Sequence, residues 1–389
     1  MQLTEKRKSP LTSIATAVLD PYAANFWLQK INPLWSVNQS LGKIVKKATT
    51  AQGVVSFTLQ FNKKFQVGAA GQHHPVYVTI QGVRYERTYS LTQLDAQHIL
   101  LTVKKVDQGK VSTWLVEQAK VGDILEFGEP YGDMQLPAQP QPLILLAAGS
   151  GITPMYSLLQ DMVKSGRLGS TQVILMYWVK TFADAAFKAQ FEAWAEQFPN
   201  FTFQVFYTQE PRLKHSRLNS EQLQDLAPIE QSAVFACGPS GFTTQAEQLF
   251  AQAALLKTEA FSMSPVLGDD VGLVQVTLTK SKKIVTVPKG KSILESLEQQ
   301  NIKPKYGCRM GICHKCVCNK AEGSTKNLVD GVQNSEPNNQ LKICVNSASG
   351  TPGPSSATRI SRSFPLSSSV ILITERSCVR YFTLFSNRL

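Results

Sequence analysis

The chain has 389 residues, 43% of them hydrophobic and 17% charged, which is enough for several ordinary cores at about 100–200 residues per domain and excludes wholesale disorder. No apolar run approaches the ~18 residues of a membrane-spanning helix; the best covers 143–148, the length of a buried strand. The formal net charge of +12 comes without basic–aromatic interleaving or a helix-turn-helix pattern, so nucleic acid is not the expected partner, and an acidic protein or anionic membrane is.

Residues 1–40 read as an N-terminal arm. Positions 1–8 are basic and 11–19 weakly apolar, as in a signal peptide. Two Thr and one Ser interrupt that stretch and Asp20-Pro21 follows it, which argues against a cleaved leader. Residues 41–138 read as an antiparallel barrel, because residues 54–61, 76–80 and 98–103 alternate and Gly, Asp and Asn punctuate them. The style changes after Pro137, Pro140 and Pro142. Residues 143–148 make a fully buried strand, and helical patterns then alternate with strands at 173–177, 201–207 and 233–237. That βαβ rhythm predicts a Rossmann-like parallel sheet over 139–261. Residues 262–272 read as a linker, and 273–350 as a hairpin, a helix and a cysteine cluster.

Three stretches have nucleotide-handling chemistry. Arg87-Thr88-Tyr89-Ser90 closes a strand; an Arg neutralises a diphosphate, a Tyr stacks on a flavin ring and a Ser hydroxyl bonds a ring nitrogen. Downstream, Gly109, Val111, Ser112 and Thr113 look like a helix start able to hold phosphate. Taken singly, an ordinary strand end and helix cap explain these two equally well. Gly149-Ser150-Gly151-Ile152-Thr153-Pro154 lies between the buried strand and a helix, where a Gly-rich turn becomes a phosphate cradle, although it departs from G-x-G-x-x-G. Cys237-Gly238-Pro239 ends a later strand of the same sheet; alone, it reads as readily as a buried strand-end thiol.

Five of the seven cysteines fall within 37 residues, which points to a metal or cluster site in a reducing, cytoplasmic compartment rather than a disulfide scaffold. Cys308, Cys313 and Cys316 have the spacing C-x4-C-x2-C, with Cys344 lying 28 residues further on. This is the plant-type ligand spacing of a [2Fe–2S] cluster. Structural zinc favours C-x2-C pairs and fits the first step poorly. Gly307 and Gly311 let the loop fold tightly. Cys318 is misplaced for ligation and reads as a packed thiol, and His314 as facing solvent or another loop.

In this order the motifs resemble the ferredoxin–NADP reductase superfamily, in its members with a C-terminal plant-type ferredoxin domain, over residues 41–350. The resemblance implies an FAD-binding barrel, a nicotinamide-binding α/β domain and a β-grasp ferredoxin domain. It implies an NAD(P)H-dependent oxidoreductase that passes electrons from NADPH, or NADH, through FAD and the cluster to a partner protein. Arg87, Thr88, Tyr89 and Ser90 would hold flavin, with Ser90 near the reactive ring nitrogen, and Gly109, Val111, Ser112 and Thr113 its phosphates. Gly149, Ser150, Gly151, Thr153, Pro154, Gly238 and Pro239 would border the pyridine nucleotide, with Cys237 beside the nicotinamide carbon. Lys180 stands where relatives often carry Arg; with Arg212, Lys214 and Arg217 it favours a 2′-phosphate. The arm from Asp20-Pro21 to Trp35-Ser36 is similar to the lead-in of bacterial reductases serving acyl-CoA desaturases and related hydroxylases, so the expected partner is an acidic-surfaced desaturase or oxygenase. Trp27, Leu28 and Trp35 are expected to pack on the barrel, with peripheral attachment at the inner face of a membrane as the other reading. The rival roles are the reductase of a ring-hydroxylating or alkane oxygenase and, from another class, a redox-sensing or zinc-binding scaffold.

Residues 351–389 depart from the pattern. They hold nine Ser, five Arg and no Lys, whereas the preceding 350 residues hold 28 Lys and seven Arg. The reversal reads as a frameshifted or read-through extension that lacks the strand closing a ferredoxin sheet. The alternative is a targeting tail whose residues 370–373 rest on a membrane.

Overall fold

The computed structural model describes residues 21–107, 109–211, 217–224, 226, 228–262, 272–329, 331–349 and 370–374. Arg212, Lys214, Cys378 and most of the 262–272 and 351–389 segments lie outside them. After helix α1 (Pro21–Ile31), six strands form a closed antiparallel barrel. They are β1 (Ser40–Ala51), β2 (Val54–Phe61), β3 (His73–Ile80), β4 (Val83–Gln93), β5 (His98–Lys104) and β6 (Ile124–Phe127), in the order β1-β2-β5-β4-β3-β6. Pairing of β1 with β6, Ser40 opposite Phe127, closes the ring and removes the sheet edges. The alternation seen in sequence puts Phe57, Leu59, Val76, Val78, Ile99, Leu101 and Phe127 in one buried cluster. Arg87-Thr88-Tyr89-Ser90 does not close a strand as expected: it lies inside β4, which runs on to Gln93. Leu91 beyond it is still a core position, so the pleat continues.

A five-stranded sheet follows, in the order β11-β10-β7-β8-β9. Its strands are β7 (Leu143–Ala148), β8 (Val173–Val179), β9 (Phe201–Tyr207), β10 (Ala233–Pro239) and β11 (Leu255–Ser262). β8 is buried along its whole length, as a strand covered on both faces must be. β8 pairs in parallel with β9, and β10 with β11. The connecting helices include α3 (Ile152–Lys164), α4 (Lys188–Gln197) and α5 (Ser240–Leu249), α2 being the short Lys110–Thr113 helix after β5. Between β9 and β10 a 3-10 turn, Ser220–Leu223, is capped by Asn219.

The C-terminal domain opens with the expected hairpin, β12 (Leu273–Leu278) antiparallel to β13 (Lys283–Pro288). Helix α6 (Ile293–Gln299) starts at Ser292, whose hydroxyl accepts from the Glu295 amide at 3.2 Å. The remaining strands are β14 (Val317–Glu322), β15 (Ser324–Asn327), β16 (Gln333–Asn334), β17 (Asn339–Lys342), β18 (Asn346–Ser349) and β19 (Val370–Thr374). One sheet has the order β13-β12-β19-β14-β17, the other β16-β15-β18. The expectation that the ferredoxin-like part stops at 350 without a closing strand is overturned at β19. This strand lies inside the sheet, parallel to β12 and antiparallel to β14, with Ile371 and Ile373 buried in the domain core. The reason is local. Four consecutive apolar residues, three of them β-branched, suit a pleated, buried surface within that serine-rich tail. A place for these residues on a membrane is excluded by the same burial.

Candidate functional site

Register builds the first part of the site. β3 and β4 pair so that His73 faces Ser90, His74 faces Tyr89 and Pro75 faces Thr88. Ser90 is buried, and its hydroxyl lies 2.9 Å from His73 Nδ1, which fixes the hydroxyl rotor. Thr88 Oγ1 bonds the Tyr131 hydroxyl at 2.7 Å. Arg87 donates to the Glu86 carbonyl at 2.7 Å. Tyr89 packs half-buried against the barrel core, and its phenol titrates above the ordinary range because burial outweighs the Arg87 charge. His74 is also buried; desolvation lowers its pKa to about 4 against the effect of the Gly128 carbonyl, and the neutral ring stacks on Phe65.

The second part adjoins β4. Gly109 precedes α2, and a Cβ there would meet Ser112 Oγ at 2.5 Å. The Ser112 hydroxyl is engaged locally, donating to the Gly109 carbonyl at 3.3 Å and accepting from the Val106 amide at 3.2 Å. Its role in this structure is to shape the turn. Val111 is buried, and Thr113 leads into a π-type turn, Trp114–Gln118. Lys110 Nζ lies 5.8 Å from the centre of the Tyr85 ring on β4, so the two expected flavin stretches are neighbours.

The Gly-rich turn and the Cys237 strand end, 86 positions apart, meet at backbone contact. A Cβ on Gly151 would lie 2.0 Å from the Cys237 carbonyl oxygen and 2.9 Å from the Gly238 amide nitrogen; one on Gly238 would lie 2.8 Å from Ala148 Cβ. Only glycine fits there. Gly149 has φ +57° and open space around it. Thr153 is half-buried and Pro154 sits in the first turn of α3, where no amide partner is needed. Cys237 is fully buried, its thiol pushed well up by desolvation and then by Glu259. It is therefore a neutral thiol behind the rim, and Pro239 is the exposed residue at the strand end. Lys180 and Arg217 are both exposed at loop positions.

The four expected ligands converge in the C-terminal domain. Cys308, Cys316 and Cys344 are buried and Cys313 is half-buried. They fall into two pairs. Cys316 and Cys344 have their sulfurs 3.0 Å apart, and the Cys308 amide donates to Cys313 Sγ at 3.1 Å. Amides of Met310 and Cys313 donate to Cys308 Sγ at 3.4 and 3.3 Å. The hydrogen bond with Cys313 holds the Cys308 thiol below its ordinary range, and that with Cys344 does the same for Cys316. Four cysteine sulfurs, one pair of them accepting from loop amides, are the kind and number of donors a [2Fe–2S] cluster would need, although among the described residues no three of them are drawn together around a single metal position. Gly311 has φ +77° and Arg309 φ +61° within this loop. Arg309 pairs with Glu298 of α6 and covers the Tyr306 ring at 4.1 Å, tying the loop down. His314 is exposed, as expected. Cys318, which is not among the four expected ligands, is buried in the domain core.

The comparisons with known proteins follow the same order. The description "Oxidoreductase FAD-binding domain" matches residues 42–136, "Oxidoreductase NAD-binding domain" residues 145–248, and "2Fe-2S iron-sulfur cluster binding domain" residues 276–345. An "NADPH oxidoreductase" of Mycobacterium tuberculosis is 32% identical over 352 residues, 87% of this chain and 90% of that protein. The chain belongs to the ferredoxin–NADP reductase superfamily, in the branch with a C-terminal [2Fe–2S] domain. This reductase is also 24% identical to a "3-ketosteroid-9-alpha-monooxygenase, ferredoxin reductase component" of Rhodococcus rhodochrous over 245 residues, 58% of this chain and 68% of that one. In fold it is similar to phthalate dioxygenase reductase, with a TM-score of 0.60 at 20% identity over 86% of this chain and 98% of that chain.

It is an NAD(P)H-dependent electron-transfer oxidoreductase using FAD and a [2Fe–2S] cluster. The residues that sequence reading missed are the second partners: His73 behind Ser90, Tyr131 behind Thr88, and Glu298 behind Arg309. Their only signal is strand register or helix facing, which a motif does not contain.

Proposed function

We propose that this reductase takes electrons from NADPH in preference to NADH, works in the cytoplasm and delivers electrons to a fatty-acyl desaturase or hydroxylase. Its proposed domains are 41–138, 139–261 and 273–350, and β19 joins the main sheet of the last. The observation that carries the reading is the convergence of Cys308, Cys313, Cys316 and Cys344 on a chain that also carries flavin and nicotinamide motifs. FAD held along Arg87, Tyr89 and Ser90 would supply two-electron hydride chemistry, and a cluster held by Cys308, Cys313, Cys316 and Cys344 would supply one-electron transfer.

The chain's own residues bind, orient and exclude water. Arg87 neutralises diphosphate, Tyr89 offers its ring face to the flavin, and Ser90, held by His73, presents a fixed hydroxyl to the ring nitrogen. Gly109, Val111, Ser112 and Thr113 supply the turn along the phosphates. Gly149, Ser150, Gly151 and Thr153 let the pyridine nucleotide approach the backbone, and Pro239 at the strand end borders the nicotinamide, with Cys237 and Gly238 buried behind it as support rather than contact. Lys180 and Arg217 attract the 2′-phosphate that separates NADPH from NADH. Steady-state kcat/KM with each nucleotide tests this: an NADPH preference that falls in Lys180→Ala and Arg217→Ala is expected, and a preference for NADH contradicts it.

For the acceptor, the 12 Lys and Arg against 7 Asp and Glu in residues 266–350 favour an acidic docking face. The name of the Rhodococcus relative, a monooxygenase component, supports an oxygenase-type acceptor, and the phthalate dioxygenase reductase likeness favours a ring-hydroxylating oxygenase as the second reading. Co-purification of the terminal oxygenase with this chain decides between them.

A further inference from the structure

Helix α1 is built inside out. Its polar residues Asn25 and Gln29 face the protein. Asn25 Nδ2 donates to Asn38 Oδ1 at 2.9 Å, and its Oδ1 accepts from the Val37 amide at 2.8 Å and the Ser36 hydroxyl at 3.0 Å. Gln29 Nε2 donates to Gln39 Oε1 at 2.8 Å. The side turned to solvent instead carries Ala23, Phe26, Trp27, Lys30 and Ile31, spaced i, i+3, i+4, i+7, i+8, a stripe roughly 140° wide at 100° per residue. Phe26 is 56% exposed, Trp27 69% and Ile31 73%, and the turn after the helix adds Trp35 at 50%. The expected packing of Trp27 and Trp35 on the barrel is thus corrected, because the hydrogen bonds of Asn25 and Gln29 fix which face of α1 turns inward.

The inward polar face is satisfied, so the helix is not misplaced, and the outward face asks for an apolar cover. Its chemistry selects one. Trp27 and Phe26 meet edge to face with centroids 5.4 Å apart, and Lys30 Nζ lies 5.4 Å from the centre of the Phe26 ring. Aromatics beside a lysine whose stem lies along apolar surface suit the boundary between headgroups and acyl chains. The helix has no acid in its first turn and its one charged residue is Lys30. Residues 21–50 carry four Lys and no acid, which complements an anionic surface rather than the apolar centre of a protein interface.

We infer that the solvent face of α1 is an interfacial anchor that seats this reductase on an anionic lipid bilayer. The anchor is independent of which nucleotide or acceptor the enzyme uses.

The test is co-sedimentation of the full-length holoenzyme with phosphatidylcholine vesicles, with and without phosphatidylglycerol. Binding to the phosphatidylglycerol vesicles that weakens with salt is expected. The triple variant Phe26→Ser, Trp27→Ser, Ile31→Ser should weaken it by about tenfold or more, and Lys30→Glu should weaken it more on anionic than on neutral vesicles. NADPH–ferricyanide activity, unchanged in both variants, shows that each is folded and loaded. The inference is overturned if no vesicle is bound, or if the triple variant binds as the parent does. It is also overturned if sedimentation velocity reveals a self-association that the triple variant abolishes, which would make a second copy the occupant. Binding that appears only after removal of residues 1–20 would overturn it too, assigning the face to that segment.

Discussion

Gly151→Ala tests the joint between the nucleotide turn and the β10 end. The added Cβ would lie 2.0 Å from the Cys237 carbonyl oxygen, and real Cβ contacts keep 3.0 Å or more, so the two backbones must part by at least 1.0 Å (3.0 − 2.0). Both sides of the clash are main chain, so no side chain can swing away. Overpacking of this kind costs about 1–3 kcal/mol of stability. The larger effect is on geometry: a misplacement of about 1 Å in a site that aligns two reactants costs roughly a hundredfold in rate. Anaerobic stopped-flow bleaching of the flavin by NADPH reads the rate, and thermal melting reads the stability. The control is Gly166→Ala, outside the nucleotide turn, where a Cβ meets nothing within 4 Å and only the left-handed φ of +73° is penalised, by about 1–2 kcal/mol. Flavin and iron content should match the parent in both. A Gly151→Ala enzyme that bleaches at the parent rate, or a Gly166→Ala enzyme equally slow, would refute the reasoning.

Ile371→Ala removes a fully buried β19 side chain and should cost about 2–5 kcal/mol, with faster cluster bleaching on mild heating; an unchanged cluster lifetime would show that β19 does not support the domain. His73→Phe removes the partner of Ser90 and should slow flavin reduction while leaving the KM for NADPH close to the parent value, as stopped-flow and steady-state kinetics would report. His74, held at about 4 against an ordinary 6.5, resists protonation in the native state; stability is complete above pH 6.5 and falls as pH drops toward 4, by up to about 3 kcal/mol, and urea midpoints against pH should lose this slope in His74→Gln. Turnover with the acceptor protein should fall as salt rises, whereas ferricyanide reduction, which needs no basic docking surface, should change little.

Much of this molecule was legible because its chemistry is local. The cluster loop packs three ligands into nine residues, and the buried strand followed by Gly149-Ser150-Gly151 announces its context in a dozen. Strand boundaries at 54–61, 143–148 and 201–207 match because alternation or continuous apolarity is a direct image of burial. What escaped depends on pairing at a distance. His73 meets Ser90 only through the β3–β4 register, and Gly151 meets Cys237 only because β7 and α3 bring the turn against β10. β19 was hidden because an unfamiliar composition surrounds a short strand whose partners lie about 50–100 residues upstream, where sequence pattern has no reach. The orientation of α1 was misread for a related reason: apolar residues at helical spacing read as core, and only the hydrogen bonds of Asn25 and Gln29 show that the polar face is the inner one.

The most direct test of the central claim is the electron paramagnetic resonance spectrum and metal content of the anaerobically purified protein after reduction with NADPH. A reduced [2Fe–2S] signal with about two irons and one flavin per chain is predicted, and it should vanish in Cys316→Ser while flavin reduction persists. A chain carrying zinc in place of iron, or one whose iron signal survives loss of Cys316, would contradict the account.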